Sequence, residues 1–318
     1  MFTSLLLKMI FLFGLIFIGY VLAKGKFVPN NTEQVLSKLE TLIFVPCLVM
    51  GAFIADFSIE NLAVVWNLLV VSLIVFIIAF PTGFILARFI FKDKYLRNIG
   101  TYGLIFSNFG FMGNAIMSSG VFGDIFFEYT IFQFPFWLAI YGWAVPFLLM
   151  DKTEGSSKLK STLKNFLNPM FICMIIGMVI GLLNLKTYIP TPINELINVL
   201  GSCMSPLAMI LTGMTIGRLR ILKLLKKYKI YIITIFRLLI IPLTFIAIVW
   251  LFNLELYLGK TALLCTLCML SMPLGLNTIV IPASFGKDTS DAAGMSLVSH
   301  ILSLISIPIV FELLLTII

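Results

Sequence analysis

The sequence has few charged residues. Only 11% of its 318 residues are charged and 60% are hydrophobic, and a soluble domain of so apolar a composition would be exceptional. This scarcity of charge excludes an ordinary water-soluble enzyme. The alternative solvent is a lipid bilayer, in which a spanning helix needs roughly 20 apolar residues. The length therefore predicts about ten spans with short loops and no sizeable soluble domain.

Cysteine is scarce as well. The five cysteines cannot all pair, and each lies in an apolar stretch, so a secreted disulfide scaffold is excluded. Cys265 and Cys268 lack a second pair of ligands, so we interpret them as packing residues and predict no metal site. The sequence has no phosphate-binding loop, nucleophile elbow or zinc-binding HExxH segment. We therefore predict no cofactor, no ATP-driven pump and no hydrolase.

Apolar runs separated by charged residues, proline, asparagine or glycine predict ten membrane-spanning helices. They lie near residues 4–23, 34–54, 61–90, 99–122, 127–149, 168–184, 192–216, 230–252, 260–285 and 290–317. The first run ends in Val21-Leu22-Ala23, which also resembles the cleavage site of a signal peptide. The internal repeat described below needs the first span and so disfavours cleavage.

The distribution of basic residues predicts the orientation. Seventeen lysines and arginines follow the odd-numbered spans, whereas Lys8, Lys186 and Lys260 are the three on the opposite side. Because basic loops stay in the cytoplasm, both termini are predicted to lie outside a plasma or inner membrane. The net charge of +8 is thus explained by membrane topology, and we predict no nucleic-acid partner.

Prolines and amides recur at nearly one spacing and predict an internal repeat. The pairs are 160 to 163 residues apart: Pro46 with Pro206, Pro81 with Pro242, Asn114 with Asn277, and Pro146 with Pro308. The halves would be residues 1–150 and 168–318, joined by a cytoplasmic linker at 151–167. Because five spans per half is an odd number, the second half enters the membrane inverted, as in many transporters. The other interpretation is chance, since proline is common in membrane helices.

The fourth and ninth spans contain residues that break helices. The segment SNFGFMGN at 107–114 includes Gly110 and Gly113, and the segment SMPLGLNT at 271–278 includes Pro273 and Gly275. Glycine and asparagine weaken helices, and proline removes a backbone donor. Non-helical backbone at this depth must be buried in protein or line a polar cavity, so the breaks predict a cavity. The alternative is two kinked, closely packed helices.

A broken helix exposes free N–H groups that attract anions. We expect half-helices starting near Gly113 and Asn277 to aim these groups at the membrane centre, where they would bind a small carboxylate. Gly113 would allow close backbone approach. The predicted substrate-binding residues are Ser107, Asn108, Gly113, Asn114, Asn277 and Thr278, with Gln133 and His300 as further candidates.

These residues resemble the auxin efflux carrier family of membrane permeases. The resemblance rests on NFGFMG at 108–113, MPLGLNT at 272–278, FGKD at 285–288 and SHILSLISIP at 299–308, and it covers nearly the whole chain. It implies the crossed-helix fold shared with bile acid symporters and sodium/proton antiporters, with the broken fourth and ninth helices crossing at the substrate site. Malate, malonate and the auxin anion are substrates of that family.

Two positions depart from the family pattern. Ala115 stands where the family often has proline, and His300 stands where it commonly has threonine. The long central loop of the plant carriers is also missing, which favours a compact microbial permease. A sodium-coupled symporter, a uniporter, a membrane sensor that binds without transport, and a homodimer all stay open. The sequence does not distinguish import from export, or H⁺ from Na⁺ as the coupling ion.

Several ionisable residues lie within predicted spans. His300, the only histidine, could carry a proton with the substrate, or it could be neutral and hydrogen-bonded between helices. We interpret Arg237 as reaching the interface, with pairing to a substrate carboxylate as the alternative. Lys38 and Glu40 are interpreted as a solvated cytoplasmic rim, and Glu312 lies near the outer end of the last span.

Overall fold

A computed structural model describes residues 2–149, 169–218, 227–284 and 287–318. The chain is all-helical in these ranges, as the sequence predicted. The helices are α1 (Phe2–Lys24), α2 (Thr32–Asp56), α3 (Leu62–Ile90), α4 (Lys94–Ile105), α5 (residues 109–117), α6 (Phe126–Leu149), α7 (Pro169–Leu182), α8 (Thr191–Gly217), α9 (Tyr228–Phe252), α10 (Glu255–Ser271), α11 (Asn277–Ser284) and α12 (Ser290–Leu315). The predicted linker 151–167 and the Phe285-Gly286 pair of the resemblance lie outside the described residues.

Seven of these helices are long and apolar enough to cross a membrane, namely α1, α2, α3, α6, α8, α9 and α12. Large apolar side chains such as Phe17, Trp66, Ile78 and Trp250 are exposed on them, which is the surface that lipid tails would cover. α7 is a shorter apolar helix of 14 residues. Exposed apolar side chains and these helix lengths fit a multi-pass membrane protein.

Prolines shape three of the long helices. A π-helical turn at Glu40–Phe44 precedes Pro46 in α2, and another at Phe236–Ile240 precedes Pro242 in α9. A third π-helical stretch, Ile140–Leu149, contains Pro146. Proline cannot donate to the carbonyl four residues earlier and clashes with it, and a wider turn relieves that clash.

The helices pack in two groups. α1 lies along α8, and α2 lies along both α7 and α8. The second group contains α3 to α6 and α9 to α12. In it, α3 packs on α4 and α6, α9 packs on α12, and α10 contacts α6, α9 and α12. Contacts of α1 with α12 and of α8 with α5 join the groups. The breaks in α4/α5 and α10/α11 lie within the second group.

Glycine allows the closest of these helix contacts. A Cβ atom added at Gly213 of α8 would lie 1.8 Å from the Ile16 carbonyl oxygen, and one added at Gly19 of α1 would lie 2.0 Å from the Ile210 carbonyl oxygen. The backbones of α1 and α8 therefore touch directly, the usual arrangement where membrane helices pack through small residues.

Candidate substrate site at the helix breaks

The fourth and ninth predicted spans lose helical geometry near their middle. α4 ends at Ile105, Phe106 is extended with φ −111° and ψ 100°, and the chain turns helical again as a π turn from Phe109. α10 ends at Ser271, and Met272 is extended with φ −66° and ψ 149°. Pro273 and Gly275 follow in that non-helical segment, where their low helix propensity ends the helix.

The two breaks contact each other. The Asn108 backbone N–H donates to the Pro273 carbonyl at 2.7 Å, and Ser107 forms an isolated antiparallel bridge with Leu274. A Cβ atom at Gly275 would lie 3.2 Å from the Ser107 carbonyl oxygen, so a side chain there would push the segments apart. Each segment thus satisfies backbone groups that the other leaves free, as buried backbone requires.

A fully buried arginine holds both breaks. Arg237 has no exposed surface; its Nη1 donates to the Leu104 carbonyl at 2.8 Å and its Nε to the Met272 carbonyl at 3.0 Å. Its Nη2 donates to the Met269 carbonyl. The interpretation that Arg237 reaches the membrane interface was wrong, because the π turn that carries it packs against α10. The alternative, pairing with a substrate carboxylate, stays a prediction.

These three carbonyls lie at or near the C-terminal ends of α4 and α10. The last carbonyls of a helix have no intrahelical partner and carry partial negative charge. One guanidinium, whose N–H groups point in several directions, therefore neutralises the negative ends of two helices at once. Sequence reasoning missed this role, because Leu104 lies 133 residues from Arg237. The available signal was an arginine inside a long apolar run.

One of the helices that resume after the breaks starts earlier than predicted. The Asn108 carbonyl accepts from Met112 N at 3.0 Å and Gly113 N at 3.2 Å, so α5 begins after Asn108 rather than near Gly113. The π turn extends the helix back over Gly110, which explains the difference. α11 begins at Asn277 as predicted. In α11 the first N–H groups already have partners, since Thr278 N donates to the Gly275 carbonyl at 3.2 Å and Ile279 N to the Leu276 carbonyl at 2.9 Å. The Thr278 hydroxyl also donates to the Gly275 carbonyl, at 2.8 Å, and does not cap the helix.

The predicted amides on α5 and α6 bond one another. Gln133 Nε2 donates to Asn114 Oδ1 at 2.7 Å, and Trp137 Nε1 donates to Gln133 Oε1 at 3.0 Å. Asn114 and Gln133 are buried. The structure thus brings Gln133, which the sequence predicted only as a further candidate, directly against Asn114. Asn277 lies separately and donates to the Tyr102 hydroxyl at 3.0 Å.

His300 lies against the first break. Its Nε2 is 3.0 Å from Asn108 Nδ2, and its Nδ1 is 2.7 Å from the Ser296 carbonyl oxygen. A carbonyl only accepts, so Nδ1 carries the proton, and Nε2 is left to accept from Asn108. This arrangement matches the neutral histidine hydrogen-bonded between helices. Ser107, the residue before Asn108, donates from its Oγ to the Met269 carbonyl at 2.8 Å.

The space next to the two α5 glycines is occupied by aromatic side chains. A Cβ atom at Gly113 would lie 2.2 Å from the Tyr129 hydroxyl, and one at Gly110 would lie 2.7 Å from the Trp137 ring. Tyr129 in turn donates to the Phe109 carbonyl at 3.2 Å. Gly113 therefore allows close approach of Tyr129, where the sequence predicted close approach of a ligand.

The breaks carry positive rather than negative charge. In the described ranges the buried acidic residue is Glu40, which lies on α2, away from the segments that form the breaks. The same ranges contain no cluster of three or more His, Cys, Asp or Glu that could hold a metal. The site therefore combines one fixed cation, two helix N-termini and uncharged amides, which is a setting for an anion.

The site is closed in this conformation. Every candidate polar side chain there bonds to another protein group, as described above. Two cavities of about 390 Å³ lie elsewhere, at the ends of α4, α9 and α12; one is lined by Phe91, Lys227 and Met295 among others, and the other by Tyr95, Lys287 and Asp288 among others. A ligand would have to replace some of the bonds among the amides.

The family model described as membrane transport protein matches residues 4–311, nearly the whole chain. No curated protein matches the sequence. A match of this extent agrees with the apolar helices and the paired breaks. The chain is a multi-pass membrane protein that belongs to the membrane transport protein family, the auxin efflux carriers.

Proposed function

We propose that this protein is a secondary carrier for a small organic anion, a carboxylate such as malate or an auxin-like acid. The anion binds where the α4/α5 break meets the α10/α11 break. The carrier works either by coupling to an ion gradient or as a uniporter.

The observation that carries this proposal is the charge at the breaks. Arg237 bonds the negative ends of α4 and α10, whereas the positive ends of α5 and α11 have no buried acidic residue beside them in the described ranges. A bound anion would balance the partial positive charge at these helix N-termini. Ser107, Asn108, Asn114, Gln133, Asn277 and Thr278 would exchange their present partners for its oxygens, with His300 next to Asn108.

Alternating access would follow from the two packing groups. We propose ten spans, in which α4/α5 and α10/α11 are the broken fourth and ninth helices that cross at the site. Residues 1–150 and 168–318 are then inverted halves joined by the linker 151–167, with both termini outside the cell membrane. The group that contains the breaks would move against α1, α2, α7 and α8 and expose the site to each side in turn.

The sodium-coupled alternative has less support. A sodium ion at a helix break uses unwound carbonyl oxygens, and here the carbonyls of Leu104, Met269, Met272 and Pro273 already accept hydrogen bonds. A proton is therefore the coupling ion that we propose, if transport is coupled. A sensor without transport activity is separated from a carrier by flux measurements.

The experiment is uptake of radiolabelled mono- and dicarboxylates into liposomes that contain the purified protein, paired with thermal-shift binding. We expect a transported carboxylate to raise the melting temperature, because ligand binding stabilises the folded state. Asn114→Asp would place a negative charge beside the anion, worth about 2 to 4 kcal/mol of repulsion at a partly shielded site. Apparent affinity should fall at least about 30-fold.

Asn253→Asp is the matched control, since it makes the same change at an exposed residue after α9. Its affinity and uptake should equal those of the unmodified protein. Binding without flux would identify a sensor. Equal affinity in Asn114→Asp and Asn253→Asp would remove the breaks as the anion site.

A further inference from the structure

One buried carboxyl group has no role in the proposed anion site. Glu40 has no exposed surface, and neither carboxyl oxygen has a hydrogen-bond partner. It is the first residue of the π turn Glu40–Phe44 in α2. The interpretation of this residue as part of a solvated rim was therefore wrong, because α7 and α8 cover the turn.

The charged groups nearby do not compensate Glu40. On α2, Glu33 is paired with Arg218 at 2.6 Å and Lys38 is exposed. Asp56, at the other end of α2, is 16 residues away, about 24 Å at 1.5 Å per residue. The remaining ionisable residues on the packed elements are Cys47 on α2, Cys173 on α7, and Glu195 and Cys203 on α8. None of them bonds to the Glu40 oxygens.

A charged carboxylate in this position would be strongly unfavourable. Burying an ion without a partner costs several kcal/mol, and a neutral carboxylic acid avoids most of that cost. A metal cation is a poor substitute, because hard cations need six or more oxygen ligands and Glu40 belongs to no cluster of three or more His, Cys, Asp or Glu among the described residues. The chemistry of the position therefore fits a proton.

We propose that Glu40 is a proton-binding site of the carrier, protonated in the conformation seen here and ionised in one in which the Glu40–Phe44 turn opens to water. Two residues close to it in the sequence, Lys38 and Thr41, are exposed. A rotation of about 100°, the angle that one residue makes around an α-helix, would carry the carboxyl group to that exposed face. π turns are often sites of functional rearrangement.

The proton would thereby control the conformation of the transporter. α8, which covers Glu40, also contacts α5 at the first break, so opening of the turn is linked to the substrate site. The conformation in which the Glu40–Phe44 turn is closed holds one proton more than the conformation in which it is open. Raising the pH therefore favours the open turn by up to tenfold per pH unit. Only the link to transport rests on the proposed function; proton binding itself does not.

Two measurements on the purified protein in lipid nanodiscs test the proposal without a substrate. Infrared difference spectra between low and high pH report the C=O stretch of a carboxylic acid that loses its proton. Glu40→Gln should remove the band of Glu40. Glu40→Asp should shift it, which provides a second variant if the glutamine form does not fold. Glu60→Gln, which changes an exposed glutamate, should leave the band in place.

Hydrogen exchange of residues 32–44 tests the opening of the turn. The ratio of the rate in the unmodified protein to that in Glu40→Gln at the same pH cancels the chemical pH dependence of exchange. We expect this ratio to rise with pH, by up to tenfold per pH unit. The corresponding ratio of the unmodified protein to Glu60→Gln should stay at one at every pH. A missing carboxylic acid band, or a ratio independent of pH, would overturn the proposal.

Transport then connects the site with function. Glu40→Gln should flatten the pH dependence of anion uptake. If His300→Thr flattens it and Glu40→Gln does not, the proton that drives transport is on His300, and the role of Glu40 in transport is refuted. If no anion is transported at all, the proposed function fails, while the infrared and exchange results still decide whether Glu40 binds a proton.

Discussion

At the scale of single residues, Arg237 and Glu40, which are both fully buried in the described part of the chain, have opposite surroundings. Arg237 has three carbonyl partners, while Glu40 has none. Both lie in π turns that precede a proline. A cation whose three nitrogens all donate belongs to the permanent structure, and an acid with no hydrogen bond is a candidate for change. The contrast separates a structural charge from a switchable one.

Removal of the guanidinium should destabilise the breaks. Arg237→Gln leaves buried carbonyls without donors, and we expect a loss of about 3 to 5 kcal/mol in unfolding free energy, together with loss of transport. Arg237→Lys keeps the charge but lacks the planar set of donors, so its loss should be smaller. Arg88→Gln, at an exposed residue, should change stability by less than about 0.5 kcal/mol. Equal melting temperatures for Arg237→Gln and Arg88→Gln would contradict the role of Arg237.

Residue types were more predictable than residue partners. The sequence predicted Asn108 and Asn114 as site residues because they lie in a helix break, and His300 because ionisable residues at mid-membrane are rare. It could not show that Asn108 bonds His300, because the two are 192 residues apart. Glu40 was misinterpreted for a related reason: the sequence places it near the start of a span, but only packing shows that α7 and α8 cover it.

At the scale of elements, aromatic side chains of α6 fill the space beside both glycines of α5. Gly113 lies so close to Tyr129 that even one methyl group would clash with the hydroxyl. The α5 turn and the start of α6 are therefore fitted to each other.

A double-mutant cycle measures this fit. Gly113→Ala should cost about 1 to 3 kcal/mol through overpacking, whereas Tyr129→Phe should cost about 1 kcal/mol for its bond to the Phe109 carbonyl. In the double variant the hydroxyl is gone and the next ring atom lies 3.2 Å away, so most of the alanine penalty should disappear. Unfolding of the four proteins followed by circular dichroism gives the coupling energy. Additive losses would show that the contact does not limit position 113.

Helix positions followed well from the sequence, but the start of α5 did not. Long apolar runs have few structural solutions in lipid, which is why each predicted span contains helix. Seven of the helices in the described residues are long and apolar enough to cross a membrane, and the count of ten spans stays a prediction. α4 starts at Lys94, earlier than predicted, because the Asp93 side chain accepts from Leu96 N at 2.9 Å and caps it. The π turn at Phe109–Gly113 has no simple sequence signal, since glycine is a poor helix former.

At the scale of the whole molecule, the distribution of basic residues should determine which face meets the cytoplasm. Two ion pairs, Glu33 with Arg218 and Asp291 with Lys227, lie at helix ends next to the basic loops. Position 60, between α2 and α3, and position 253, between α9 and α10, belong to different halves but should both face outward.

Cysteine labelling tests this topology. In a variant with all five native cysteines replaced by serine, single cysteines at Glu60 and Asn253 should react with a membrane-impermeant maleimide in intact cells. Cysteines at Lys26 and Lys94 should react only after permeabilisation. Labelling of positions 60 and 253 from opposite sides would refute the inverted arrangement of the two halves.

The three bonds of Arg237 have a consequence for recognition. Since one side chain joins the ends of α4 and α10, we propose that these ends move as one unit during transport. The anion would then meet the same two break segments from either side of the membrane. Dissociation constants measured for inside-out and right-side-out vesicles should then agree, and net direction would be determined by concentration gradients and by the proton alone.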